Sequence, residues 1–297
     1  MDIWKAFEAY SLYARGLRNY APLTVAAKRD TLKCFIERTG LRRLEDVTPE
    51  LAQNYFLKNR VELNWSSSTY VCVHTRLFVF FCWCVKQGYI GANPFHDIEK
   101  PKLEYRLPRR LSCRDAELLL HACRKKKYKS AYLRCRAEAI LAVMLFTGLR
   151  RAEVVALELS HVDLEARILK VIQGKGGKDR YLPINDELLP VLKRYTKERL
   201  KIQTALPNFF MSYQKGKPLG AGGVRRLFKN LRPLTNFDFS PHALRHTFAT
   251  LMLEGGCDIY TLSRLMGHNK ISTTARYLNA STQLLMQSMQ KHPLRWS

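Results

Sequence analysis

The sequence predicts a mainly helical α+β protein of two domains, and three observations carry that reading. Apolar residues recur at three- and four-residue steps from the start to about residue 90, the period of helices that bury one face. The stretch Glu99-Lys100-Pro101-Lys102-Leu103-Glu104-Tyr105-Arg106-Leu107-Pro108-Arg109-Arg110 then breaks the pattern with prolines and mixed charge, and reads as an extended linker. Beyond it helical runs return, but two short strand-like runs flank Gly174-Lys175-Gly176-Gly177, which signals an antiparallel hairpin. The expected division is a helical domain over 1–98, a linker over 99–110, and a mixed domain of helices with a small antiparallel sheet over 111–297.

In the first domain a helix is expected from Ile3 to about Gly16. A second follows Pro22, with Thr24 as its N-cap, and stops at Gly40. A third follows Thr48-Pro49-Glu50, where Thr48 can cap and Pro49 suits the first helical position. A fourth begins near Ser66-Ser67-Ser68 and passes through an aromatic block to Gly88, so that four short helices make a small bundle. In the second domain helices are expected near 113–125 and 132–147. Strand-like runs follow at Arg167 to Ile172 and Asp179 to Ile184, and helices resume from Leu188.

Fifty Lys and Arg against 25 Asp and Glu leave a formal charge of +25, which a compact chain tolerates best against a polyanion. Residues 1–100 hold 14 basic and 10 acidic side chains and the rest hold 36 and 15, so the later two thirds carry about +21. Nucleic acid is the partner this balance suggests. The eight cysteines include no C-x-x-C pair, which argues against a zinc site or disulfide framework and suits a reducing cytoplasm. The most apolar run, Leu77 to Val85, is far shorter than the roughly 20 residues that span a bilayer, and no signal peptide is visible, so no membrane association is expected.

Four segments carry groups suited to chemistry on an anion. In Ser240-Pro241-His242-Ala243-Leu244-Arg245-His246, Ser240 suits an N-cap, and His242 and Arg245 fall on one face beside a helix N-terminus that favours anions. In Thr147-Gly148-Leu149-Arg150-Arg151-Ala152-Glu153, Gly148 interrupts a buried run and Arg150 emerges from it, with Glu153 placed to orient its guanidinium. Lys175 stands at the hairpin tip among glycines and could protonate a departing oxygen. Asp258 caps a helix ending at Met266-Gly267-His268, with Gly267 as C-cap, and Tyr277 follows nine residues after His268. Each segment alone has an ordinary reading: a surface ion pair, a turn lysine, a packing tyrosine.

Read in order, T-G-L-R, G-K-G-G-K-D-R, H-A-L-R-H, L-M-G-H and then R-Y closely resemble the tyrosine recombinase, or phage integrase, family. The resemblance spans Leu111 to about Leu278, and the helical first half with its proline linker is similar to the core-binding domain of Xer-type members. By motif it implies that Arg150, Lys175, His242, Arg245, His268 and Tyr277 are catalytic, with Glu153 in support. Met266 stands where leucine is usual and Ala152 where serine is common, and neither change removes a functional group. Lys178 is a rival to Lys175, which matches the first lysine of the family's G-K-G turn.

The resemblance implies a site-specific recombinase that cleaves double-stranded DNA through a 3′-phosphotyrosine and exchanges strands between two sites, in resolution, integration or inversion. It implies a two-domain clamp around DNA and a homotetramer, or two dimers, on the recombination sites. The apolar Leu284, Leu285, Met286 and Met289 of the tail suit docking into a neighbour. No metal, cofactor or ATP is called for. Arg150, Arg245 and His268 would neutralise charge growing on the phosphorus, His242 would serve as base and Lys175 as acid. Two alternatives stay open: a type IB topoisomerase, which uses similar residue types on one duplex, and a non-catalytic DNA-binding factor.

Overall fold

The computed structural model describes residues 1–103, 109–172, 179–213, 216–268, 270–275 and 277. Lys175, Lys178 and the four apolar tail residues therefore lie outside the described residues. The chain divides into two compact units, Met1–Arg106 and Leu107–Ser297.

The first unit is four helices: α1 (Ile3–Gly16), α2 (Pro22–Thr39), α3 (Pro49–Glu62) and α4 (Ser67–Lys86). Local chemistry sets three of the four starts. Asp2 accepts from the Lys5 N–H, Thr48 from Leu51 and Ser66 from Thr69, each satisfying a donor that the first helical turn leaves free. Helix α2 departs from expectation. It begins at Pro22 with no side-chain cap, and Thr24 lies inside its first turn. Proline's fixed φ already suits the first helical position and its missing N–H costs nothing there, so the helix opens before Thr24. Gly40 ends it at φ 71°, as the sequence suggests.

Rings fill the core of this unit. Phe7 meets Phe80 at 5.5 Å, Phe35 meets Phe95 at 5.6 Å and Phe81 meets Phe95 at 4.8 Å, mostly edge to face. Helix α4, at 20 residues, is long and apolar enough to cross a membrane, which the nine-residue run in the sequence understates. Its Tyr70, His74, Leu77, Phe80, Phe81 and Cys84 are buried in the bundle. The His74 ring bonds the Phe95 carbonyl at 3.0 Å, and Arg76 donates to the Thr31 hydroxyl. These contacts account for its apolar face as the centre of a helical core.

The second unit is built on α6 (Ala131–Thr147), whose residues 137–145 are all buried. A helix so uniformly apolar needs cover on every side. It is packed by α5 (Cys113–Lys125), by α8 (Leu188–Leu200) and by α10 (Pro241–Glu254). Three antiparallel strands, β1 (Val162–Asp163), β2 (Ile168–Val171) and β3 (Arg180–Pro183), form a sheet in that order, with Leu169 opposite Leu182 on its buried face. Strand β1 is absent from the sequence reading because two residues cannot display an alternating pattern. The remaining helices are α7 (Arg151–Ala156), α9 (Ala221–Leu231), α11 (Ile259–Met266) and α12 (Ser272–Ala275).

Candidate active site

The site grows from helix ends. Helix α6 stops at Gly148, whose φ of 63° is left-handed, and the chain turns into α7 with Arg150 at the N-cap position. Glycine is needed at 148 on two counts. A side chain would adopt that φ at a cost, and a Cβ there would lie 2.3 Å from the Phe248 ring. Gly148→Ala is therefore expected to lower stability by about 2–4 kcal/mol, the sum of backbone strain and overpacking, as measured by urea unfolding.

Glu153, one turn into α7, is 8 % exposed and gathers three guanidiniums. It accepts the Arg150 backbone N–H at 2.8 Å and Arg150 Nη1 at 2.8 Å. From β3, Arg180 donates to both of its oxygens, at 3.2 and 2.8 Å. Arg245 Nη1 lies 4.0 Å away. Burial pushes the Glu153 carboxyl up, but Arg180 and then Arg150 outweigh it and hold the group below its ordinary value. A carboxyl depressed in this way stabilises the fold above its ordinary pKa of 4.5 and loses that contribution as pH falls through the lower, folded value. Glu153→Gln should thus cost about 3–5 kcal/mol at neutral pH, and its loss of stability on acidification below pH 4.5 should be smaller than that of the parent, read by urea melts across pH.

Helix α10 supplies the next groups. Ser240 accepts the Ala243 N–H and Pro241 opens the helix, as its sequence suggests. His242 and Arg245 leave the helix at different depths: His242 is exposed, whereas Arg245 is 2 % exposed. Arg245 lies deeper because its guanidinium reaches inward to the chain turn that ends α6. Arg245 donates from Nη1 to the Gly148 carbonyl at 2.6 Å and from Nη2 to the Met266 carbonyl at 2.7 Å. Its Nη2 also lies 3.0 Å from His268 Nε2. Burial first, and then the neighbouring Arg150, lower its pKa to about 10, a site that gains from an added anion.

His268 follows the C-cap Gly267, at φ 64°, and its Nδ1 meets the Thr274 hydroxyl of α12 at 2.8 Å, which fixes the ring so that Nε2 faces Arg245. Tyr277, 3 % exposed, lies just past α12 and its hydroxyl sits 2.9 Å from His246 Nδ1. The His246 ring in turn lies 4.7 Å from that of His242.

The structure thus brings Arg150, Glu153, Arg245 and His268 into one contact chain, and joins Tyr277 to His242 through His246. Lys175 lies outside the described residues. Sequence reasoning missed two participants. Arg180 ties β3 to Glu153 and, through Nε, to the Leu265 carbonyl at 2.9 Å. Its signal was a lone arginine at the root of the hairpin. The signal for His246 was its place four residues after His242, one helical turn away. Chemically, two guanidiniums and an imidazole beside a phenol can hold a tetrahedral anion and present it with a nucleophile.

Comparison with known proteins agrees in kind. Residues 109–283 match the profile described as the phage integrase family. The chain is 30 % identical to the tyrosine recombinase XerC of Pelobacter propionicus, covering 98 % of this chain and 96 % of that one. It is 31 % identical to the tyrosine recombinase XerC of Staphylococcus epidermidis, covering 97 % of each. Among solved structures, the Tn1549 transposon integrase bound to a circular intermediate DNA is similar with a TM-score of 0.75 at 22 % identity, over 98 % of this chain and 99 % of that one. A lambda integrase dimer bound to a core site has a TM-score of 0.71 at 18 % identity, over 100 % and 98 %.

Proposed function

Because the chain belongs to the phage integrase family and so is a site-specific recombinase that cleaves and rejoins DNA through a tyrosine, we propose that Tyr277 is that tyrosine and that Arg150, Lys175, His242, Arg245 and His268 form its pocket. The observation that carries this assignment is the convergence of Arg150, Arg245 and His268, from α7, α10 and the turn after α11, beside the Glu153 carboxylate. A phosphodiester is anionic and resists nucleophiles, so donors aimed at its non-bridging oxygens must absorb the charge that grows as phosphorus becomes pentacovalent. Arg150, Arg245 and His268 serve that purpose. The leaving 5′ oxygen is strongly basic and takes a proton from Lys175. His242, exposed at the first turn of α10, is available there to donate to a phosphate oxygen. Glu153 supports the set by orienting Arg150.

The phosphotyrosine conserves the energy of the broken ester, so attack by a 5′ hydroxyl from another strand rejoins the DNA without ATP. Double-stranded DNA is the substrate. We read the working assembly as a homotetramer, or two dimers, on the recombination sites, with exchange of C-terminal tails, and we place it in the cytoplasm. The test is a nicked suicide duplex carrying a candidate site, from which the severed fragment diffuses away and traps the covalent complex. Peptide mapping of the adduct should identify Tyr277, and an adduct on another residue would overturn the assignment.

A further inference from the structure

Cleavage requires Tyr277 to lose its proton as it attacks, and a free tyrosine, with a pKa near 10, holds that proton at neutral pH. The Tyr277 side chain is 3 % exposed, so its proton leaves most readily to a group it already touches. The Tyr277 hydroxyl lies 2.9 Å from Nδ1 of His246, with the two rings 5.4 Å apart. We infer that His246, one turn beyond His242, is the catalytic base in place of His242, which the sequence suggests for that role: it takes the proton from Tyr277 during cleavage and returns it during religation. The inference rests on the recombinase reading above and adds a residue to it.

The helix holds His246 in place for that role. Arg245, its neighbour in sequence, is pinned by the carbonyls of Gly148 and Met266, which fixes the rotation of α10 about its axis. The Thr250 hydroxyl bonds the His246 carbonyl at 3.0 Å. The His242 ring, exposed, lies 4.7 Å away and tilted by 56°. Other charged groups on the elements packed against α10 are engaged elsewhere or face solvent. On α6, Glu138 is held by Arg124 and Arg194, and Arg136 by the Met211 carbonyl. On α5, Asp115 and Glu117 sit at the helix start beside Ser112 and Cys113. On α11, Tyr260 and Arg264 are exposed. Tyr277 and His242 both lie against the His246 ring.

The step balances. The bond from the Tyr277 oxygen to phosphorus forms and the bond from phosphorus to the 5′ oxygen breaks. The phenolic proton passes to His246 Nδ1, and the 5′ oxygen takes a proton from the acid, for which Lys175 is proposed above. An imidazole with a pKa near 6.5 is neutral at pH 7 and able to accept.

The test is single-turnover cleavage of the nicked suicide duplex by the full chain, between about pH 5.5 and 9, a range that spans imidazole titration. For wild type, the rate should rise through the imidazole range and then level. His246→Asn keeps an acceptor near the Nδ1 position but is no base. It should bind DNA as wild type, cleave about 10²–10³-fold more slowly, and gain rate with pH across the whole range. A substrate with sulfur in place of the bridging 5′ oxygen, whose departure needs no acid, should leave this variant slow. The inference is overturned if His246→Asn cleaves at the wild-type rate, if it slows yet keeps the wild-type pH profile, or if the sulfur substrate restores it. If wild type itself forms no adduct, the recombinase reading fails instead. Should His246→Asn fail to fold, the same measurements on His246→Gln decide the matter.

Discussion

Tyr277→Phe is expected to bind a recombination site within a factor of about three of wild type and to form no covalent adduct on a nicked suicide duplex. The substitution removes one oxygen. That oxygen contacts His246 Nδ1, and the Arg245, His268 and Glu153 contacts with one another do not run through it. With Tyr277 as the nucleophile, removing its oxygen removes the atom that bonds to phosphorus, so the expected loss of cleavage is complete rather than graded. Electrophoretic separation of the protein–DNA adduct from free DNA reads the result directly. An adduct that persists in the variant would remove Tyr277 from the mechanism.

The second large effect is at Arg245. Because its guanidinium also donates to two carbonyls, Arg245→Ala would remove that donor from both and open a cavity, and should cost about 3–5 kcal/mol of stability besides activity. Arg245→Lys separates the two effects. It keeps the charge but has lost the planar fork that reaches two carbonyls and a phosphate together. Cleavage should fall by about 10²–10³-fold, the typical cost of losing one transition-state donor, while DNA affinity changes by less than about tenfold because many other phosphate contacts remain. Near-wild-type cleavage by the lysine variant would contradict the pocket assignment.

What the sequence revealed was mostly local. The Thr48, Ser66, Ser240 and Asp258 caps and the Gly40 and Gly267 stops are choices a few residues make among themselves, and the structure has them where the residue types suggest. What it concealed was mostly nonlocal. Arg180 lies 27 residues from Glu153, and its importance exists only because the sheet folds back against α7. The difference in depth between His242 and Arg245 depends on which face of α10 meets α6, which the three-residue spacing cannot tell. His246 stood inside a recognised motif, yet its contact with Tyr277 is set by the short segment after α11 that returns the chain to α10.

The Glu153 cluster has a consequence for charge balance. Three guanidiniums around one carboxylate leave two uncompensated positive charges. A resting phosphodiester, a monoanion, cancels only one of them, whereas the five-coordinate species on the way to cleavage carries two negative charges and cancels both. The cluster's excess positive charge is therefore matched better by the five-coordinate dianion than by the resting monoanion, so its electrostatics favour the reacting phosphate over the bound one.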